Sequence, residues 1–277
     1  MSVIQSSKGF EENGQVRSGY RQLSGWRLLV VRLMVLVGLL VVWDLSSRLF
    51  DLQLLLSRPA LVGERLVEFS TDPDFYHDAR VTLVQTAIGF LAGSMSGLIV
   101  GALMGIFSNF GRVLNPFLDF ANSVPRVALA PLFVFALGFG TASKVAIIVT
   151  IVFFVMATYA EAGVRNVDNN LILVSRTLGA SRSQVFRTVL APSMLVWLFP
   201  AIRLSVAYSF LGVVIGEFVG ANAGLGFYIL RAANLLDTAG VLAAIVVISV
   251  FSVCIIALLG RLEARVLRWQ PSSVRIS

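Results

Sequence analysis

Residues 81–109 read VTLVQTAIGFLAGSMSGLIVGALMGIFSN and indicate the fold class. The run holds no charged residue and exceeds the roughly 20 apolar residues that a helix needs to cross a membrane. Small residues on one stripe of a helix let another backbone approach closely. We predict helix packing at the centre of a bundle, with a pore lining as the alternative, although only serines would supply its polar groups. Glycine recurs at every fourth position, on one stripe: Gly89, Gly93, Gly97, Gly101 and Gly105.

Apolar runs of similar length recur along the chain of 277 residues. Hydrophobic residues make up 57% of it and charged residues 13%, whereas soluble domains hold about 45–50% and about 25%. This composition excludes a water-soluble globule. Pro116, Pro125 and Pro131 interrupt the third run, so we expect a broken or kinked span there. The sequence predicts an all-α integral membrane protein with about six transmembrane helices, at residues 27–46, 81–109, 113–138, 143–163, 193–218 and 239–260.

Basic residues are unevenly distributed among the loops between these spans. With both termini in the cytoplasm, the inner segments hold more Lys and Arg than the outer segments, as the positive-inside rule requires. In this assignment Arg126 belongs to an inner segment and Lys144 to an outer loop. We expect a multi-pass plasma-membrane protein with a flexible cytoplasmic tail at residues 1–25, a transmembrane domain at 26–271 and a C-terminal tail at 272–277.

The remaining composition excludes several classes of function. The net charge is +7, but the basic residues are scattered between the apolar runs and do not cover one polar face. No nucleic-acid partner is therefore expected. A single cysteine, Cys254, and a single histidine, His77, cannot build a disulfide framework or a Cys/His metal cluster. A membrane-embedded enzyme would need a Ser/His, paired-Asp or metal constellation. We therefore predict neither a catalytic nor a metal site.

A long loop between the fourth and fifth spans has a helix, break, helix pattern. Asp168 or one of the two asparagines after it caps a first short helix, and Gly179 ends it. Ser181 and Gln184 match a capping box for a second short helix, and Pro192 marks the junction with the next span. Two short amphipathic helices fit either the membrane surface or a groove on a cytoplasmic partner. Position alone slightly favours the surface.

The same loop resembles the EAA loop of binding-protein-dependent ABC importer permeases. In that loop a glycine is followed ten residues later by an apolar residue and thirteen residues later by proline, which is the spacing of Gly179, Val189 and Pro192. The Glu-Ala-Ala positions of the family are Leu-Val-Ser here, at residues 173–175. Further stretches are similar to permeases of the nitrate, sulfonate and taurine type, in the expected order: residues 124–140, 216–227 and 267–271, the last containing Trp269 and Pro271.

The resemblance implies a type I ABC importer permease fold with cytoplasmic coupling helices, in a bacterial inner membrane. It implies two permease subunits, expected to be a homodimer, two cytoplasmic ATPase subunits and an external or periplasmic solute-binding protein. Membrane lipid is the further partner of the permease subunits. The chain has no Gly-x-x-x-x-Gly-Lys-Ser/Thr phosphate loop. We expect it to bind no cofactor, while the ATPase subunits use ATP and Mg. The coupling loop, residues 165–192, would reach the ATPase through Leu173, Arg176, Leu178, Gly179, Ala180, Ser181, Phe186 and Pro192.

Polar and charged residues near the later spans are candidates for the translocation pathway. Arg203 either attracts an anion there or is a structural interhelical arginine. Glu217 is expected to shape an outer gate. The resemblance implies a small anionic solute, such as nitrate, a sulfonate, taurine or a related organic acid. The alternative is an ATP-independent secondary transporter or channel, which would show inverted repeats and charged relays. The candidates are Asp119, Arg203, Tyr208, Phe210, Glu217 and Asn222.

Overall fold

A computed structural model describes residues 25–49 and 57–268 of the chain. Apart from Gly25, the predicted N-terminal tail lies outside the described residues, and so do Trp269, Pro271 and the predicted tail at 272–277. Every regular element in the described ranges is helical. The elements are α1 Gly25–Leu49, α2 Pro59–Phe69, α3 Pro73–Ile106, α4 Ser108–Ser123, α5 Ala130–Leu137, α6 Thr141–Arg165, α7 Asn169–Thr177, α8 Arg182–Val185, α9 Ala191–Gly220, α10 Leu225–Asn234 and α11 Thr238–Val266.

Five helical segments are long and apolar enough to cross a membrane, and a bent pair makes a sixth. The five are α1, α3, α6, the α8 to α9 segment and α11, which confirms five of the predicted spans. The sixth consists of α4 and a helical segment at Arg126–Leu137, with 80° between them. Pro125 cannot donate a backbone hydrogen bond and holds the preceding Val124 in an extended conformation. The predicted break in the third span is therefore confirmed.

Several helices extend beyond the apolar runs that predicted them. The helix α3 begins at Pro73, because the side chain of Asp72 accepts a hydrogen bond from the backbone N–H of Asp74 and caps it. Residues 73–80, which the hydropathy pattern assigns to a loop, thus form the first two turns of α3. Counting apolar residues locates the part of a helix inside lipid and misses polar turns at its ends.

The second predicted short helix of the coupling loop does not end at Pro192. Instead, α8, a π-helical turn at Phe186–Leu190 and α9 form one continuous helical segment from Arg182 to Gly220. The π-turn immediately precedes α9, in which Pro192 lies in the first turn. Since proline lacks an N–H and its ring clashes with the carbonyl four residues earlier, a wider turn accommodates it without a break. The next span thus begins beside Pro192, as predicted, but the second short helix is continuous with it and not a separate element.

The centre of the bundle is formed by α3, α6 and α9, in which α6 packs extensively against both of the others. A buried apolar cluster joins α6 to α9 through residues such as Ile148, Val152, Met156 and Val213. A second cluster joins α2 and the start of α3 to α10 and α11. By contrast, α1 buries only Ser47 and presents most of its apolar side chains at the surface. The three central helices therefore form the packed centre of the molecule.

Candidate functional site

The glycine stripe of α3 lies against α6. A Cβ atom added at Gly89 would lie 2.6 Å from Cβ of Ile148, and one at Gly93 would lie 2.9 Å from Cβ of Val152. Atoms that are not bonded cannot approach so closely, so the two helices touch only because these positions lack side chains. Further along, Gly97 and Gly101 face the backbone of α6, and Gly105 faces Val164. The stripe is thus occupied by a neighbouring helix.

A group of buried polar side chains, here called the α10 polar cluster, holds the N-terminus of α10. The backbone N–H groups of residues 224, 225 and 226 donate to Asp78, Thr82 and Glu217, each at 2.7 Å. The Thr82 hydroxyl also donates to the second carboxylate oxygen of Glu217, at 2.8 Å. Carboxylates favour a helix N-terminus because its free N–H groups carry partial positive charge. Glu217 is only 1% exposed, and its hydrogen bonds join α9 to α3 and α10.

Lys144 is fully buried, at 0% exposure, and does not occupy the outer loop to which the charge pattern assigned it. Its ammonium group donates to the carbonyl oxygen of Phe139, at 2.5 Å, and to that of Gly220. Gly220 ends α9, and the last carbonyl groups of a helix have no partner within it. The lysine therefore joins α6 to the end of α9, and the prediction of a loop position for it is wrong.

A cavity of about 470 Å³, open to the surface of the chain, lies between the bent α4–α5 pair, α6 and α9. Of the six predicted pathway residues, only Tyr208 lines it. Arg126, at the bend between α4 and α5, contributes a cation to the lining. Its guanidinium group lies 4.7 Å from the ring centroid of Phe154 and donates to the side-chain oxygen of Asn122. The full lining is Asn122, Val124, Arg126, Val127, Ile151, Phe154, Val155, Thr158, Tyr159, Leu204, Tyr208 and Leu211.

The other pathway candidates lie elsewhere. Arg203 forms an ion pair with Glu263 of α11, which gives it an interhelical partner. Asp119 is exposed on α4, and Asn222 is exposed in the turn between α9 and α10. Phe210 is buried, and both carboxylate oxygens of Glu217 are occupied by partners. The structure therefore does not bring the predicted set together.

Arg126 is the residue that sequence reasoning missed. The charge pattern assigned it to an inner loop, yet its Nε atom is buried and has no hydrogen-bond partner among residues 25–49 and 57–268. The missed signal was an arginine inside an apolar run, between Pro125 and Pro131. A charge within a broken span faces protein or a cavity rather than lipid.

The coupling loop presents its apolar residues at the surface. Its first helix, α7, begins where the side chain of Asp168 accepts a hydrogen bond from the N–H of Asn170, as the sequence predicts. No residue of α7 is buried, and Leu173 and Leu178 are 61% and 82% exposed. Gly179 then turns the chain with φ at 82°, a conformation that L residues with side chains rarely adopt.

The start of α8 confirms the predicted capping box. The Ser181 hydroxyl accepts a hydrogen bond from the N–H of Gln184, and the Gln184 side chain accepts one from the N–H of Ser181. Arg176, Ala180 and Phe186 lie on either side of this turn, with Arg176 and Phe186 exposed. The result is a capped turn with the amphipathic helix α7 on one side and the long α8–α9 segment on the other.

Residues 91–268 match the family described as binding-protein-dependent transport system inner membrane component. The chain belongs to this family. The match includes the second half of α3, all of α6 and α9, the cavity and the coupling loop. Members are the permease subunits of ABC importers and are not themselves ATPases. Family membership thus favours an ABC importer over the alternative of an ATP-independent transporter.

Similar proteins include permeases for several solutes. The formylaminopyrimidine transport permease protein ThiX of Halalkalibacterium halodurans is 30% identical over 232 residues, which cover 84% of this chain and 92% of that protein. The putative aliphatic sulfonates transport permease protein SsuC of Bacillus subtilis is 30% identical over 78% of this chain and 79% of its own length. The taurine transport system permease protein TauC of Escherichia coli is 29% identical over 84% and 86%.

Solved structures share the fold. A chain of the MetNI methionine ABC transporter, in an inward-facing conformation, has a TM-score of 0.60 at 22% identity and covers 67% of this chain and 93% of its own. A chain of a bacterial ABC transporter involved in alginate import has a TM-score of 0.61 at 13% identity and covers 87% and 96%. The predicted type I ABC importer permease fold is confirmed.

Proposed function

We propose that this permease works in an ATP-driven importer and that α7 is the part which a cytoplasmic ATPase subunit grips. The observation that carries the proposal is the exposure of Leu173, Val174 and Leu178 on a capped helix beside the Gly179 turn. Apolar side chains on a short rigid helix match a groove on another protein better than they match water. Arg176, on the same helix, adds a polar contact at the edge.

The coupling loop is also placed to transmit movement to a transmembrane helix. From Arg182 the helix continues without a break into α9, which packs against α6 in the centre of the bundle. Movement of the ATPase subunits on binding and hydrolysing ATP with Mg would tilt α9 as a rigid body and change access to the cavity. The complete complex would hold two copies of this chain, two ATPase subunits and an external solute-binding protein, with both termini of the permease in the cytoplasm.

The solute we propose is a small anion, such as nitrate, a sulfonate, taurine or a related organic acid. Support comes from the sulfonate and taurine permeases among the similar proteins, and from the cation at the cavity. The external protein would select the solute, and the permease would pass it through the membrane.

The test of the coupling role is the pair Gly179→Val and Gly138→Val. Both glycines have a positive φ, 82° and 81°, and no neighbouring atom within 4 Å of an added Cβ. Valine strains the backbone at either position, and at Gly138, where ψ is 179°, it enters a region that is essentially restricted to glycine. We expect Gly179→Val to insert in the membrane and to lose import and solute-stimulated ATP hydrolysis in proteoliposomes, while Gly138→Val keeps both. Wild-type import by Gly179→Val would contradict the docking role.

A further inference from the structure

We propose that Arg126 and the cavity it lines bind the solute itself, as a small organic anion whose carboxylate or sulfonate group meets the guanidinium and whose apolar body fills the remaining space. This inference rests on the proposed import function and narrows it. It assigns a binding site within the membrane to a residue outside the predicted pathway set. The proposed site should also bind organic anions more tightly than it binds nitrate.

The size and lining of the cavity suit an organic molecule. Its volume of about 470 Å³ lies within the roughly 300–1,000 Å³ of small-molecule sites. Most of the lining is apolar and comes from all three neighbouring elements: Val124, Val127, Ile151, Phe154, Val155, Leu204 and Leu211. Apolar walls stabilise the apolar part of a ligand and offer nothing to a small hydrated ion such as nitrate.

Arg126 is held ready to bind an anion. Its guanidinium group lies over the Phe154 ring, and its Nη2 atom donates to the Asn122 side chain. The Nε atom is buried, with no hydrogen-bond partner in the described part of the chain. An arginine has five N–H donors in a planar fork that matches a carboxylate or sulfonate. Because the aromatic ring and the amide already fix the fork, a ligand would lose little entropy in binding the donors at its Nη atoms.

The charges around the cavity favour an anion. None of the residues that line it in the described part of the chain is acidic. Asp119 of α4 lies three residues before Asn122 and is exposed, so it is not part of the lining. Glu161 of α6 is engaged by Arg165 at 2.7 Å and by the Asn115 amide at 3.2 Å. On α9, Arg203 is paired with Glu263. Arg126 is therefore the charge that an entering molecule meets.

Three polar side chains complete the lining, at positions where they could contact the same ligand. Thr158 and Tyr159 belong to α6, and Tyr208 belongs to α9. The Thr158 hydroxyl donates to the carbonyl of Phe154, which leaves its oxygen able to accept. Tyrosine hydroxyls would donate to a carboxylate or accept from an amino group. Tilting of α9 would move Tyr208 relative to Arg126 and would open or close the site.

The experiment measures binding to the assembled permease–ATPase complex in lipid nanodiscs, without the external protein, by isothermal calorimetry. The probes are butanesulfonate, its neutral analogue butanesulfonamide, and nitrate at equal ionic strength. The variants are Arg126→Gln and Arg126→Lys, with Arg112→Gln as the matched control, because Arg112 is an exposed arginine on α4 outside the cavity.

We expect wild type and Arg112→Gln to bind butanesulfonate alike, and Arg126→Gln to bind it at least about tenfold more weakly, the loss typical of one charge-assisted hydrogen bond. Arg126→Lys keeps the charge and should fall between them, which also shows that the site still folds. Butanesulfonamide and nitrate should bind at least about tenfold more weakly than butanesulfonate to the wild type. Equal affinity of Arg126→Gln, or equal affinity for nitrate, would overturn the proposal.

An anionic lipid headgroup shares this chemistry, so the measurement is repeated in phosphatidylcholine and in phosphatidylglycerol nanodiscs. Binding of butanesulfonate in both supports the proposal, whereas a site that takes phosphatidylglycerol and no butanesulfonate overturns it. Import is recorded with the same variants after the external protein is added. Undiminished sulfonate import by Arg126→Gln would reject this site and leave the import function standing. Failure of the wild type to import any anion with ATP would reject the proposed function itself.

Discussion

The side chains of the α10 polar cluster have hydrogen-bond partners within the chain, whereas the apolar side chains of the coupling loop are left exposed. In the cluster, Glu217 and Thr82 are buried and every oxygen named above has a partner within the chain. In the coupling loop the backbone is equally well capped, but Leu173 and Leu178 project away from the rest of the permease. A substitution in the cluster should therefore damage folding, whereas one in the coupling loop should damage only assembly with a partner.

The largest effect on folding is expected for Glu217→Ala. It leaves the Gly226 N–H and the Thr82 hydroxyl without their buried acceptor. Each hydrogen bond to a charged group contributes about 1.5–3 kcal/mol, so the free energy of unfolding should fall by about 3 kcal/mol or more. Denaturant melting in detergent measures this. Glu64→Ala, at an exposed position on α2, serves as the control and should change little. A Glu217→Ala protein as stable as wild type would remove the contrast between the two regions.

The next largest effect is expected in the glycine stripe, for Gly101→Ala. The added methyl group would overlap the backbone of Ala157, which cannot rotate away. Overpacking of this kind costs about 1–3 kcal/mol. In contrast, Gly38 on α1 has no atom within 4 Å of an added Cβ, so Gly38→Ala should be neutral or slightly stabilising. Equal melting behaviour of both variants would mean that α3 and α6 are not in close contact.

A smaller effect is expected for Arg203→Gln. The ion pair with Glu263 is partly exposed, at 41% and 23% of the two side chains. Such pairs contribute about 1 kcal/mol or less. Glu263→Gln should produce the same small loss of stability and leave sulfonate import unchanged. If Arg203→Gln alone abolished import, the arginine would contact the solute and its pairing would be incidental.

The smallest effect on folding, and the largest on coupling, is expected for Leu178→Asp. Exposed positions away from special features change stability by about 0.5 kcal/mol or less. A charge at Leu178, the C-cap of α7, would still prevent docking, so the ATPase should no longer co-purify. Leu235→Asp is the matched control, because Leu235 is 74% exposed in the turn after α10. Retained co-purification by Leu178→Asp would contradict the assignment of α7.

The sequence predicts local features well. The apolar runs, the capping box at Ser181 and the break beside Pro125 depend on residues that are neighbours in the chain. The positions of Lys144 and Arg126 depend on distant contacts. Lys144 reaches the carbonyl of Gly220, and Glu217 reaches Thr82 across 135 residues. A charge count assigns both basic residues to loops. It does not include their contacts with a carbonyl group or an aromatic ring from a distant part of the chain.

The candidate site shows the same division. The Gly179 turn is predicted from glycine at a helix end, because only its own backbone is involved. The cavity is assembled from three elements that a linear pattern cannot relate, and so five of the six predicted pathway residues lie outside it. Pro192 illustrates a different limit, since a π-turn accommodates a proline that would normally mark a helix boundary.

The most direct test of the central claim measures the accessibility of the coupling helix in a working complex. Leu178→Cys is made in a Cys254→Ser background, because the native cysteine is itself exposed. A hydrophilic maleimide is then added to the permease alone and to the complete, actively importing complex. We expect rapid labelling of the permease alone and strong protection in the complex. Equal labelling in both, with import intact, would show that no ATPase subunit covers α7 and would refute the proposed coupling role.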